Sequence, residues 1–309
     1  VALAYRSMFV HYLSGMSQAP HVGKMVAQDL DAAVERLFPE DIGQPPSEED
    51  RAAELVADQA VALDEPQWCI RANCEGYIQA IDGEGLLTLA ISDDLIVRLN
   101  YRPGDFLRRG APLAELWSKT PKSERDVDNI SREVNEAIIV GMRRTPRQDV
   151  ECAVNELVEV AVRSLSPGIN DPFTAINCVD SLCASLGRLT QRKMPTGIRC
   201  DDDGRLRIVS ARPTTFESVV DAALDQIRQY GRDSVGVTIR LLEGLHGVAE
   251  LATREEDRRV LLRNASMIFT GAGEALPEEH DRREVEQRFK RVVLALELDD
   301  VSGNSSVAL

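Results

Sequence analysis

The chain has 309 residues and carries 36 Lys and Arg against 51 Asp and Glu, a formal charge of −15. So acidic a chain lacks the basic footprint of a phosphate-tracking nucleic-acid binder, and 5% aromatic residues leave little for base stacking. With 43% hydrophobic and 28% charged residues the composition is globular, which excludes disorder of the whole chain.

The N-terminal segment, VALAYRSMFVHYLSGM, places Val1, Leu3, Tyr5, Met8, Phe9, Val10, Tyr12, Leu13 and Met16 within one apolar and aromatic stretch. It reads either as an amphipathic helix or as the end of a membrane helix. No run of about 18 apolar residues, the length of a full span, follows anywhere. Helix is expected over residues 1–38, with Pro20 as a break or first-turn residue. The composition of 39–50, PEDIGQPPSEED, predicts a turn or linker, and 51–63 a short helix.

From Trp68 to Trp117 the texture changes to short β-branched and aromatic runs interrupted by Gly76, Gly83, Gly85, Gly104 and Gly110. That pattern predicts short strands in a small barrel or sandwich, with GEGLLTLAISDD as a helix between them. After Trp117 the period becomes helical. One helix is expected over 124–141, through Val127, Ile130, Val134, Ala137 and Ile138. Another is expected over 146–165, through Val150, Ala153, Val154, Leu157 and Ala161. Thr145-Pro146-Arg147-Gln148 offers a capping box for the latter, and Thr214-Thr215-Phe216-Glu217 one for a helix that Gly231 closes. IRCDDDGRLRIV predicts a hairpin around Asp203-Gly204, and 233–270 and 278–298 predict further helices.

The densest local signal is RSLSPGINDPFTAI, from Arg163 to Ile176. Structurally, Ser166-Pro167-Gly168 stops one helix, Asn170 or Asp171 caps the next, and Pro172 sits in its first turn. Functionally, the same polar groups could bind a cation, a ligand amine or a partner loop. Candidate ligand-binding residues are therefore Arg144, Gln148, Asp149, Ser166, Asn170, Asp171 and Thr174. Arg143 and Arg147, joined by Arg108 and Arg109, are candidates for contact with lipid headgroups or another anion. The four histidines share no ligand spacing with one another or with the six cysteines, so no metal is expected. There is no GxSxG and no Cys beside a His, so no catalytic residue is assigned. The cysteines form no CxxC pair and read as free thiols of a reducing compartment.

GYIQAID followed by RPGDFLRRGAPLAELW resembles the barrel-sandwich hybrid fold of biotinyl and lipoyl carrier domains. The carrier lysine is missing, since no lysine lies between Lys24 and Lys119. The resemblance therefore implies the shape and no covalent cofactor. Taken together, VHYLSGMSQA, GYIQAID, RPGDFLRRGAPLAELW, RRTPRQDVECAVNELVEVAVRSLSPGINDPFTAINCVD and DQIRQYGRD resemble the C-terminal region of an uncharacterised family of predicted bacterial polytopic membrane proteins. The run from Arg144 to Ala175 is the most specific part.

The expected fold is α+β and mainly helical. Residues 1–64 form a helical stalk and linker continuing from a membrane span, 65–118 a small barrel-sandwich-like β domain, and 119–309 a helical domain with a hairpin. The resemblance implies a protein of the bacterial inner membrane, and the free thiols place this region on the cytoplasmic side. The expected role is non-catalytic assembly or regulation, as in gating a channel or transporter, with a homo-oligomer and the membrane as partners and no nucleic acid or cofactor. The alternative is a ligand-sensing or enzymatic domain around Arg144, Asn170 and Asp171.

Overall fold

The computed structural model describes residues 19–38 and 65–302. The fold is α+β, as the sequence predicts, and mainly helical. Its chain divides into two compact units that interleave along the sequence. One takes in the segment up to Glu40, Ala153–Lys193 and the chain from Phe216; the other takes in Asp41–Cys152 and Met194–Thr215.

The mixed unit holds β1 (Trp68–Arg71), β2 (Gly76–Ile81), α2 (Gly83–Ser92), β3 (Leu95–Leu99), β4 (Phe106–Leu107), β5 (Pro112–Ser118), α3 (Glu124–Glu136), β6 (Ile138–Gly141), β7 (Ile198–Cys200) and β8 (Leu206–Ser210). Five strands form one sheet in the order β1-β5-β3-β8-β7, and three form another in the order β4-β2-β6. Alternation explains the burial. In β3, Leu95, Val97 and Leu99 point into the core while Ile96 and Arg98 do not. Ile70, Ile78, Leu107, Leu113 and Leu116 join them, and α2 and α3 cover the core with Leu86, Leu89, Ile130 and Val134. The hairpin turns at Asp203-Gly204, with Gly204 at φ +74°, and β8 then runs parallel to β3.

The helical unit contains α1 (Ala19–Leu37), α4 (Val150–Ser164) from Ala153 on, α5 (Pro172–Leu189), α6 (Phe216–Tyr230), α7 (Val235–Ala249), α8 (Glu255–Ala275) and α9 (Glu279–Ser302). Leu30 and Val34 of α1 meet Val154 of α4, Leu182, Leu186 and Leu189 of α5 and Val219 of α6 in one apolar layer. Gly244 lets α7 lie close on α5, since a Cβ there would strike Cys183. Arg240 of α7 is ion-paired with Asp180 of α5.

Several expectations are corrected. The sheets do not close into a barrel, because the edge strands β1 and β7 are unpaired with each other. The helix expected over 124–141 stops at Glu136, and Ile138–Gly141 pairs with β2 instead. Its apolar residues fit either period, and the open edge of β2 decides between them. Strands β6, β7 and β8 lie outside 65–118, so the compact units cut across the division made in chain order. Among the described residues, no helix is long and apolar enough to cross a membrane. The stalk before residue 19 and the short helix at 51–63 lie outside the described residues.

Candidate functional site

The sequence-predicted site residues fall into two clusters, one in each unit. In the mixed unit, Asp149 stands immediately before α4 and is only 6% exposed. Its Oδ1 accepts at 3.1 Å from the amide of Cys152, three residues on, which also donates to the Asp149 carbonyl at 3.2 Å. Asp149, and not Thr145, is therefore the cap: a carboxylate also matches the positive end of the helix, which a hydroxyl does not. Arg144 grips the same carboxylate as a fork, Nε to Oδ2 at 2.8 Å and Nη2 to Oδ1 at 3.0 Å. Burial opposes the Arg144 charge, but the hydrogen bonds and charge of Asp149 outweigh it and raise the guanidinium's pKa.

The turn at Gly104 covers this pair. Gly104 adopts φ +95°, and a Cβ there would collide with the Asp149 carboxylate and the Arg144 guanidinium. Alongside it, Arg102 holds Glu151 through two bonds of 2.9 Å, and its own amide donates to Asp105 at 3.0 Å. Gln148 binds the backbone of Ile81 twice, accepting from its amide at 2.9 Å and donating to its carbonyl at 3.2 Å. It thereby acts as a short extra piece of ladder beside β2. Arg143 and Arg147 are exposed on the loop before α4, next to Met142, which is 95% exposed.

In the helical unit, α4 ends at Ser164 and the chain reverses within seven residues. The reversal is tied by its own backbone. The Ile169 and Asn170 amides donate to the Ser166 carbonyl at 3.0 and 2.9 Å, and the Asp171 amide donates to Ser164 at 2.8 Å. Asn170 takes the left-handed conformation, φ +50°, that an amide side chain tolerates. Ser166 Oγ donates to the Arg163 carbonyl at 2.7 Å. Asp171 is the N-cap of α5: it accepts from the Thr174 amide at 3.2 Å and the Thr174 hydroxyl at 2.6 Å, with Pro172 in the first turn. The Thr174 hydroxyl and amide hold the Asp171 carboxyl below the usual carboxylate range. Beside this turn an open cleft of about 550 Å³ is lined by Asn155, Glu159, Arg163, Ser166, Gln226 and Tyr230.

In both clusters the side chains of Asp149, Arg144, Gln148, Ser166, Asp171 and Thr174 bond to nearby backbone or to each other. Among the described residues no group of His, Cys, Asp and Glu could hold a metal ion. A family model described as "Predicted membrane protein (DUF2254)" matches residues 3–246. The chain belongs to this family. It is similar to an uncharacterized protein of Mycobacterium bovis and to one of Mycobacterium tuberculosis, each 26% identical over 288 residues. The alignment covers 91% of this chain and 52% of either relative, so the chain spans about half the length of the curated relatives it matches. No solved structure matches it.

Sequence reasoning missed the supports of the DUF2254 chain's first cluster, Arg102, Gly104 and Glu151, because they reach Asp149 and its helix only through the fold. It also missed Arg207, a buried arginine held by Asp201 at 2.8 Å and Asp94 at 2.9 Å, which ties β8 to the end of α2. Phe173 lies inside the motif that the sequence singled out, and it is 76% exposed. A large apolar residue two places after a cap aspartate was the available signal.

Proposed function

We propose that this chain is the extramembrane, non-catalytic region of a DUF2254 membrane protein and that it serves assembly and regulation of the membrane part, as in gating a channel or transporter. The observation that carries this reading is the fate of the polar motif residues. Asp171, Thr174 and Ser166 are committed to a turn, Gln148 to a strand backbone, and Arg144 to Asp149. Groups so committed build rigid surfaces and leave no general base or nucleophile poised for a substrate. A homo-oligomer fits this role.

The test is the full-length protein reconstituted in nanodiscs. The expected result is a defined oligomer whose ion or solute flux changes when this region is altered at its surface, with no turnover by the region itself. A monomer that converts a co-purifying small molecule would sink the reading.

The cytoplasmic orientation rests on six free thiols. Cys69 is exposed, whereas burial pushes the Cys178 thiol up to about 11 and the Cys183 thiol up to about 12. An impermeant maleimide should therefore modify Cys69 in lysed cells and spare it in intact ones, and labelling in intact cells would place the region outside.

A further inference from the structure

Three helices of the helical unit begin at one end. Asp31 of α1 accepts from Ser185 of α5 at 2.7 Å and is ion-paired with Arg188, and the Phe38 carbonyl accepts from Arg192 at 2.7 Å. Both the Ser185 and the Arg192 contacts span 154 residues, so α1 and α5 run parallel at a constant register. Carried back along the two helices, that register sets Ala19 level with Phe173. Helix α7 is parallel as well, since Gly236 lies against Ile176, Arg240 on Asp180 and Gly244 on Cys183. Helices α4 and α6 finish here, because Ser166 and Pro167 share one cleft with Gln226 and Tyr230.

This end displays Ile169 at 56%, Phe173 at 76% and Tyr230 at 59% exposure. Single exposed apolar residues are ordinary, but here three large ones gather on one end of a bundle. Ile169 stands on the turn stiffened by its own hydrogen bonds, and Phe173 stands in the first turn of α5 that the Asp171 cap holds. Helix α1, which begins at this end, follows in the chain the apolar sequence with Val1, Leu3, Tyr5, Met8, Phe9, Val10, Tyr12 and Leu13.

We propose that this end of the helical unit rests on the lipid bilayer. Ile169, Phe173 and Tyr230 then sit at the interfacial level. The placement rests on the reading of the chain as a region of a membrane protein. Its chemistry is apolar insertion with a tyrosine at the headgroup boundary, as in interfacial aromatic belts. The charges nearby are mixed: Arg163 is paired with Glu159, and the exposed Arg232 is followed by the exposed Asp233. Zwitterionic lipid therefore suffices, and no anionic headgroup is needed.

The experiment uses the full-length protein in phosphatidylcholine nanodiscs, with p-benzoylphenylalanine in place of Phe173 or Tyr230. The control position is Leu251, which is 43% exposed and packs near Gly187, about 20 Å along α5 from Phe173 at 1.5 Å per residue. Irradiation should give phospholipid adducts at the first two positions and only background at Leu251. Adducts to a second copy or to the membrane part in place of lipid would overturn the proposal, as would equal lipid labelling at all three. Alkaline carbonate extraction of cell membranes separates the two layers of the argument. Protein that washes off defeats the membrane reading itself; protein that stays without lipid adducts at Phe173 and Tyr230 defeats only this placement.

Discussion

Asp149 and Asp171 do the same local work in the two units. Each stands before a helix and accepts from the amide three residues on. They differ in what else holds them. Asp171 is half-buried and finds its second partner, Thr174, in its own first turn. Asp149 is buried under the Gly104 turn and is clasped by Arg144. A cap whose partners are all local is exchangeable for another capping residue. A cap that also neutralises a half-buried guanidinium is not, because removing it leaves that charge only partly solvated and without its partner.

The largest effect is expected at Asp149. Asp149→Ala removes a cap and leaves the Arg144 guanidinium without its fork partner, for a loss of about 3 kcal/mol. Asp149→Asn keeps a cap but not the charge, and should still lose about 2 kcal/mol. Urea denaturation reads both, and an Asp149→Asn variant as stable as the parent would break the comparison. Next comes Gly104→Ala, which forces an L residue to φ +95° and pushes a methyl into the ion pair, for about 2 kcal/mol in the same assay. Retention of full stability there would mean that the turn can move off the pair.

Asp171 should be milder. Asp171→Ala is expected to lose about 1 kcal/mol, and Asp171→Asn only a few tenths, since Asn caps nearly as well. If Asp171→Asn melts normally while the full-length protein loses assembly or flux, Asp171 has a partner beyond its helix.

The smallest effect is in pH. The Asp171 carboxyl is held below its ordinary value of 3.8 by the Thr174 hydroxyl and amide. A depressed carboxylate contributes stability that is present above the unfolded-state pKa and is lost as pH falls through the folded one. The parent should therefore shed this contribution below about pH 3.8, and Asp171→Asn should show a flatter acid limb. An identical acid limb in both would remove Asp171 from the acid response.

The sequence alone determined what lies within a few residues of its cause. The Asp171 cap with Pro172, the Gly204 hairpin, the helix over Gly83–Ser92 and the stop of α6 before Gly231 all follow from capping side chains or from the backbone freedom of glycine, and all are present. The tertiary structure decided the rest. Ile138–Gly141 became a strand because β2 offered an open edge more than fifty residues away in the chain. Asp149 displaced Thr145 as cap because Arg144 and the Gly104 turn close around it. The parallel register of α1 and α5 gathers Phe173, Ile169 and the start of α1 at one end, and it rests on contacts spanning 154 residues. Hydrophobic periodicity fixes which face of a helix is buried, but it carries no information about which distant helix that face meets or in which direction.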